Sequence, residues 1–153
     1  SIISTAATKK TPVIVDANVL LYAVKQDSQH HIAALTWLRD ALHHGPRIGL
    51  PAQTISAFLR IATYRKITPE PLTSAEAWAT AANWLDHPNV WVPPMGERTL
   101  RILGELIVKH QIAANLVMDA QLAALAMEHG VAVASFDSDF LLFDLPVVNP
   151  LRP

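Results

Sequence analysis

Asp16, Asp119, Asp137 and Asp139 stand where a carboxylate is costly unless it has a task. Asp16 closes the apolar run Pro12-Val13-Ile14-Val15, and Asp137 and Asp139 flank Ser138 just beyond a second run, Val131-Ala132-Val133-Ala134. Asp119 lies inside an apolar helical stretch, Asn115 to Ala126. A buried carboxylate must pair, keep its proton or bind a cation. No lysine or arginine occurs between Lys109 and Arg152, so a basic partner for Asp119 must come from far away in the chain. Acids at the carboxyl ends of parallel strands line the crevice where open α/β sheets hold ligands. A helix that turns Asp119 toward that crevice brings the acids together. A hard divalent cation with oxygen ligands would then relieve their repulsion.

Each residue also has a plainer role. Asp16 can cap the helix that follows it. Asp119 can face solvent or meet a distant cation, and Asp137 and Asp139 suit a turn or a helix cap. Asn18 can orient Asp16 or a bound water, or simply be a polar residue at a helix start. Ser135 can contact a phosphate, orient Asp137 or cap a strand end. Arg60, in Phe58-Leu59-Arg60-Ile61, can pair with a site acid or contact phosphate, or snorkel to the surface.

The elements that must carry these residues alternate along the chain. Strand signals cover Val13 to Asp16, Ile48 to Leu50, Val90 to Val92, Val131 to Ala134 and Val147-Val148. Helical spacing covers Asn18 to Val24, then a second helix capped by Ser28 with Ile32, Leu35, Leu38 and Leu42 on one face. His43-His44-Gly45-Pro46 stops that helix. A third helix spans Gln53 to Tyr64, with Pro69 and Pro71 beyond it. Thr73 and Glu76 have capping-box spacing and open a fourth helix, with Trp78, Ala82 and Leu85 along it. Glu97 to His110 and Asn115 to His129 are the last two helices, the second ended by Gly130. Alternating strands and helices imply parallel pairing. The expected fold is an α/β three-layer α/β/α sandwich with a short parallel sheet of four or five strands.

The chain has 153 residues, 51% of them hydrophobic, which suits one folded domain over residues 12–153 behind a flexible N-terminal arm, residues 1–11. That apolar content exceeds the needs of one small core, so a homodimer or partner face is expected. There is no cysteine, which excludes thiolate metal sites and cysteine nucleophiles and fits a cytoplasmic location. No apolar run approaches the roughly 20 residues of a membrane span. Net charge is −1, so any nucleic-acid binding must use a local patch. The pairs His30-His31 and His43-His44 lack metal-ligand spacing and read as surface or capping residues. The five glycines form no nucleotide-binding loop. Trp37, Trp78, Trp84 and Trp91 read as core or interface anchors rather than base-stacking platforms.

Three segments together resemble the PIN-domain ribonucleases, specifically VapC-type toxins. They are Val15-Asp16-Ala17-Asn18-Val19-Leu20-Leu21-Tyr22-Ala23, then Asn115-Leu116-Val117-Met118-Asp119-Ala120, then Ser135-Phe136-Asp137-Ser138-Asp139-Phe140. The resemblance runs from Val13 to about Leu151 and implies an RNA-cutting hydrolase that uses Mg²⁺ or Mn²⁺. Asp16, Asp119 and Asp137 match the acids that hold the ion, with Asp139 in support. It also implies a homodimer, tRNA or rRNA as substrate, and a small VapB-type antitoxin that lays a helix in an apolar groove and inserts a basic residue among the acids. One departure is clear. The family usually carries a glutamate on the helix after the second strand, where this chain has Ala57, and no acid occurs from Gln53 to Pro69. That puts a second metal ion in doubt but leaves one octahedral Mg²⁺ feasible, which needs only one or two carboxylates.

The chemistry so implied is hydrolysis that leaves a 5′-phosphate, with Asp119 best placed to orient or deprotonate the attacking water. The rival is a degenerate PIN domain that binds RNA or a protein without cutting. A metal phosphatase or phospho-receiver fits less well, because Asp16 is followed by Ala17-Asn18 and no late lysine is present.

Overall fold

Val13, Ile14 and Val15 form β1 (Val13–Val15), and all three are buried. Val13 and Val15 join one core while Ile14 joins another, the period of two that a strand imposes. A strand buried on both faces belongs in the middle of a sheet. The computed structural model describes residues 11–153, so the expected N-terminal arm, apart from Thr11, lies outside the described residues. The elements after β1 are α1 (Ala17–Val24), α2 (His31–His44), β2 (Ile48–Gly49), α3 (Ala52–Ala62) and α4 (Ser74–Leu85). Then come β3 (Val90–Trp91), α5 (Glu97–His110), α6 (Leu116–His129), β4 (Ala132–Ala134), a 3-10 turn over Ser138–Leu142, and β5 (Val147–Val148).

The five strands pair in parallel in the order β3-β2-β1-β4-β5. One core, built around Leu20, Leu38, Phe58 and Trp84, holds α1 to α4 on one face of the sheet. The other, with Leu106, Leu122, Leu125 and Phe140, holds α5 and α6 on the opposite face. The expected three layers are therefore present. The chain builds outward from β1 to β3 and then returns to set β4 on β1's other side. The junction of β1 and β4 is thus the point where strand order reverses, the place open α/β sheets use for ligands.

Local chemistry explains some of the boundaries. Thr73 and Glu76 form the expected capping box, Thr73 Oγ1 accepting from Glu76 N at 3.1 Å and Glu76 Oε1 accepting from Thr73 N at 2.9 Å. Gly130 ends α6 at φ 66, the left-handed conformation that favours glycine. Gly130→Ala is expected to cost about 1 kcal/mol and lower the melting temperature by about 2–4 °C. A thermal melt checks this, and an unchanged midpoint would mean that the cap relaxes freely.

Two helix readings need correction. Ser28 does not cap α2: the helix starts at His31 with His30 at its N-cap, and Ser28 Oγ accepts from His30 N at 3.1 Å in the preceding turn. The His30 ring stacks on Phe136, 4.8 Å between centroids, so tertiary contact rather than the cap preference engages this residue. The buried face of α2 carries Ala34, Leu38 and Leu42, whereas Ile32 is 72% exposed. In α4 the buried stripe is Ala77, Ala81 and Trp84, one position off the expected Trp78, Ala82 and Leu85. Trp84 meets Phe58 edge-on at 4.9 Å, which leaves Trp78 53% exposed rather than in the core. Alanines flank both stripes, so hydrophobicity alone could not separate them.

Candidate active site

Asp16 begins where β1 ends. Its Oδ1 caps α1 by accepting from Ala17 N at 2.8 Å, and its Oδ2 accepts from Ser135 Oγ at 2.7 Å. One carboxylate therefore both caps α1 and reaches across to the end of β4. Ser135 follows β4 and is 1% exposed. Its oxygen also accepts from Asp137 N at 2.9 Å and from Asn18 Nδ2 at 3.1 Å. The single Ser135 proton goes to Asp16, which leaves none for a phosphate. Asn18 closes the loop by accepting from Phe136 N at 3.3 Å. One buried hydroxyl thus links the ends of β1 and β4, the neighbouring strands at the switch point.

Asp137 caps the 3-10 turn and accepts from Asp139 N at 2.8 Å, so the alternating pair is also a turn device. Asp119 lies in the first turn of α6, where the positive helix end favours an anion. Leu122 through Ala126 behind it are all buried, so the helix is anchored against the sheet and α5. Asp119, Asp137 and Asp139 each present an oxygen, all within 4.8 Å of one another. Asp16 sits beside this group, with both oxygens engaged by the protein.

The electrostatics reflect that crowding. Asp119 is pushed up to about 6 from 3.8, chiefly by burial, then by the charges of Asp16, Asp137 and Asp139. Asp16 is also raised, again mainly by burial, although its bonds to Ser135 and Ala17 pull the other way. Among the described residues, the one lysine or arginine ion pair is Lys109–Asp144, and His129 Nε2 lies 4.0 Å from Glu128; neither is at this cluster. An all-oxygen, uncompensated set of carboxylates fits a hard divalent cation better than zinc or copper.

The cluster opens into a cleft of about 990 Å³, whose lining includes Asn18, Gln53, Arg60, Met95 and Met118 besides Asp16, Asp119 and Asp137. Its far rim, Val92-Pro93-Pro94-Met95, is held by His129 Nε2 at 3.1 Å from the Pro94 carbonyl. A second cavity of about 300 Å³ lies toward the amino ends of β1 and β2. Among the described residues Asp40 is its one acidic side chain, so it lacks the carboxylate cluster of the first.

The family described as PIN domain matches residues 13–144. This chain belongs to the PIN-domain family. It is 43% identical over 131 residues to Ribonuclease VapC37 of Mycobacterium tuberculosis, covering 86% of this chain and 91% of that one. It is 40% identical over 141 residues to Ribonuclease VapC33 of the same species, covering 92% and 99%. The fold is also that of M. tuberculosis VapC20, described as a sarcin-ricin loop cleaving toxin, at TM-score 0.68 and 19% identity, over 92% of this chain and 99% of that one. VapBC2 of Rickettsia felis, solved with a promoter DNA fragment, gives TM-score 0.65 at 12% identity, covering 90% and 98%.

In this PIN domain Ala57 lines the cleft, and α3 supplies no carboxylate to it. Arg60, one turn on, is exposed and lines the same cleft without an ion pair among the described residues. Sequence reasoning missed Gln53, Thr54 and Gln121. Gln53 Nε2 donates to the Met118 carbonyl at 2.9 Å, Gln121 Nε2 donates to Gln53 Oε1 at 2.7 Å, and Thr54 Oγ1 donates to the Val15 carbonyl at 2.7 Å. Polar residues near a helix start carry no signal of such long-range bonds. Tyr22 and His30, which pack around Phe136 beside Asp137, were equally illegible. Among the described residues, no helix is long and apolar enough to cross a membrane.

Proposed function

We propose that this PIN domain is a metal-dependent endoribonuclease and the toxin of a toxin–antitoxin pair, acting in the cytoplasm. The observation that carries this reading is the convergence of Asp119, Asp137 and Asp139 within 4.8 Å, with Asp16 beside them, at the switch point of the sheet. The relatives' names, Ribonuclease VapC37 and Ribonuclease VapC33, support RNA as the substrate, and a tRNA or rRNA is the proposed target. Asp119, Asp137 and Asp139 would hold Mg²⁺ or Mn²⁺ directly, and Asp16 would act directly or through water. When bound, the cation makes a nucleophilic water available at neutral pH and offsets charge on the phosphate. Asp119, whose carboxyl is pushed up to about 6 by burial and the neighbouring acids in the metal-free chain, would orient or deprotonate the attacking water. Ser135 and Asn18 hold Asp16 and the Asp137 backbone in place. Arg60 reaches the same cleft from the α3 side, where a neighbouring phosphate of the RNA would meet it.

The partner reading has its own support. An apolar groove of about 240 Å³ runs past Leu21, Tyr22, Val24, Ile61, Ile67 and Leu72. Leu21 and Ile61 also line the catalytic cleft, so an antitoxin helix in the groove would deliver a basic side chain to the acids. Exposed Leu100 and Val108 on α5 and Leu141 beyond β4 supply apolar surface for a homodimer.

The test is cleavage of a mixed tRNA and rRNA pool by the purified chain with Mg²⁺, Mn²⁺ or EDTA, beside Asp16→Asn. Discrete 5′-phosphate fragments are expected with either metal, and none with EDTA or in the variant. Metal binding without cleavage would favour the degenerate, RNA-binding PIN domain. Ala57→Glu then discriminates further, since activity gained there identifies the missing carboxylate as the cause.

A further inference from the structure

Gln53 and Thr54 are adjacent at the start of α3, and each grips the carbonyl of the residue just before a site carboxylate. Thr54 Oγ1 donates to the Val15 carbonyl at 2.7 Å, one residue ahead of Asp16. Gln53 Nε2 donates to the Met118 carbonyl at 2.9 Å, one residue ahead of Asp119. Gln121 Nε2 adds a bond to Gln53 Oε1 at 2.7 Å, on the far side of Asp119. These bonds reach main chain, so they place the backbone from which each carboxylate hangs. Few other contacts link α3 to α6. α3 packs chiefly on α1 and α4, whereas α6 packs on α5, β4, β1 and the 3-10 turn. Repulsion among Asp16, Asp119, Asp137 and Asp139 would drive the first turn of α6 away from β1, and the Gln53 bonds to α6 together with the Thr54 bond to β1 would oppose that motion.

We propose that Gln53, with Thr54 behind it, is a positioning residue that sets the separation of Asp16 and Asp119 and thereby the affinity of the site for a divalent cation. In this chain α3 offers no carboxylate at Ala57 and contributes to the site through this bracket instead. The inference rests on the cation-binding reading of the cluster, and its test separates the two. Mn²⁺ binding to the purified chain is followed by electron paramagnetic resonance for wild type, Gln53→Met and Gln121→Met. Loss of a group that orients a metal ligand typically weakens metal affinity about 10–100-fold, so Gln53→Met is expected to raise the Mn²⁺ Kd by at least about 10-fold. Gln121→Met, which keeps the Met118 bond, is expected to fall between the two. Two readouts distinguish positioning from a general structural role. The metal-free melting temperature of Gln53→Met should stay within about 4 °C of wild type. Saturating Mn²⁺ should restore kcat with no change in KM for RNA. Unaltered Mn²⁺ affinity in Gln53→Met, or a larger loss of metal-free stability, overturns the bracket alone. Failure of the wild type to bind Mn²⁺ overturns the cation reading and the bracket with it.

Discussion

Asp119→Asn is expected to lower RNA cleavage by about 10³-fold while making the metal-free protein more stable at pH 8. The two effects share one cause. Asp119 carries a folded value of about 6 against 3.8 for an ordinary aspartate, because burial and three neighbouring carboxylates disfavour its charge. Between those two values the native state keeps a proton that the unfolded state has released. Stability therefore falls as pH rises through this window, and the full cost of the charge is present above about pH 6. Asp119 is partly open to solvent, so screening leaves about 1 kcal/mol of that cost. Its removal should raise the melting temperature by about 2–4 °C at pH 8 and by nothing at pH 4, where the native carboxyl is already neutral. Melts of wild type and variant at both pH values, in EDTA, measure this. A lower midpoint at pH 8 would show that Asp119 is paired rather than crowded. The same charge is what a cation uses, so metal affinity should decline as pH falls below about 6.

Ser135→Ala should cut activity by about 10–100-fold with the opposite effect on stability. The hydroxyl is 1% exposed and serves Asp16, Asn18 and the Asp137 backbone at once. Deleting it takes the partner from two N–H donors, those of Asp137 and the Asn18 side chain, and from an Asp16 oxygen, at a cost of about 1–3 kcal/mol. The melting temperature should fall even in EDTA, and excess Mn²⁺ should recover only part of the rate, because Asp16 and Asp137 lose their common anchor. Equal activity in Ser135→Ala and wild type would show that the strand ends hold both acids without it. The pair of variants thus separates a residue that bears charge from one that holds charge in place: activity falls in both, while metal-free stability moves in opposite directions.

Much of this arrangement is local and so legible in the chain. Apolar runs ending in Asp16 and Ser135-Phe136-Asp137 mark strand ends, because a short β-branched run stops where polar groups must meet solvent. The capping box at Thr73 and Glu76 and the glycine cap at Gly130 depend on three or four neighbouring residues, and both form as the spacing implies. Asp119 was conspicuous because an unpartnered acid on an apolar helix has few cheap environments.

Tertiary structure decided the rest. Period counting could not choose between Ala77-Ala81-Trp84 and the neighbouring stripe of α4, since Phe58 from another helix makes that choice. Nor could spacing show that Asp16 spends both oxygens on Ala17 and Ser135 while Asp139 joins Asp119 and Asp137, because those distances arise only when β1, β4 and α6 meet. Gln53 gave no local signal at all, as its partners lie 65 and 68 residues away in the chain. The chain by itself determined which carboxylates are present and which elements carry them. Folding determined how far apart they stand, because hydrogen bonds and packing between distant segments, rather than local preference, place one backbone against another.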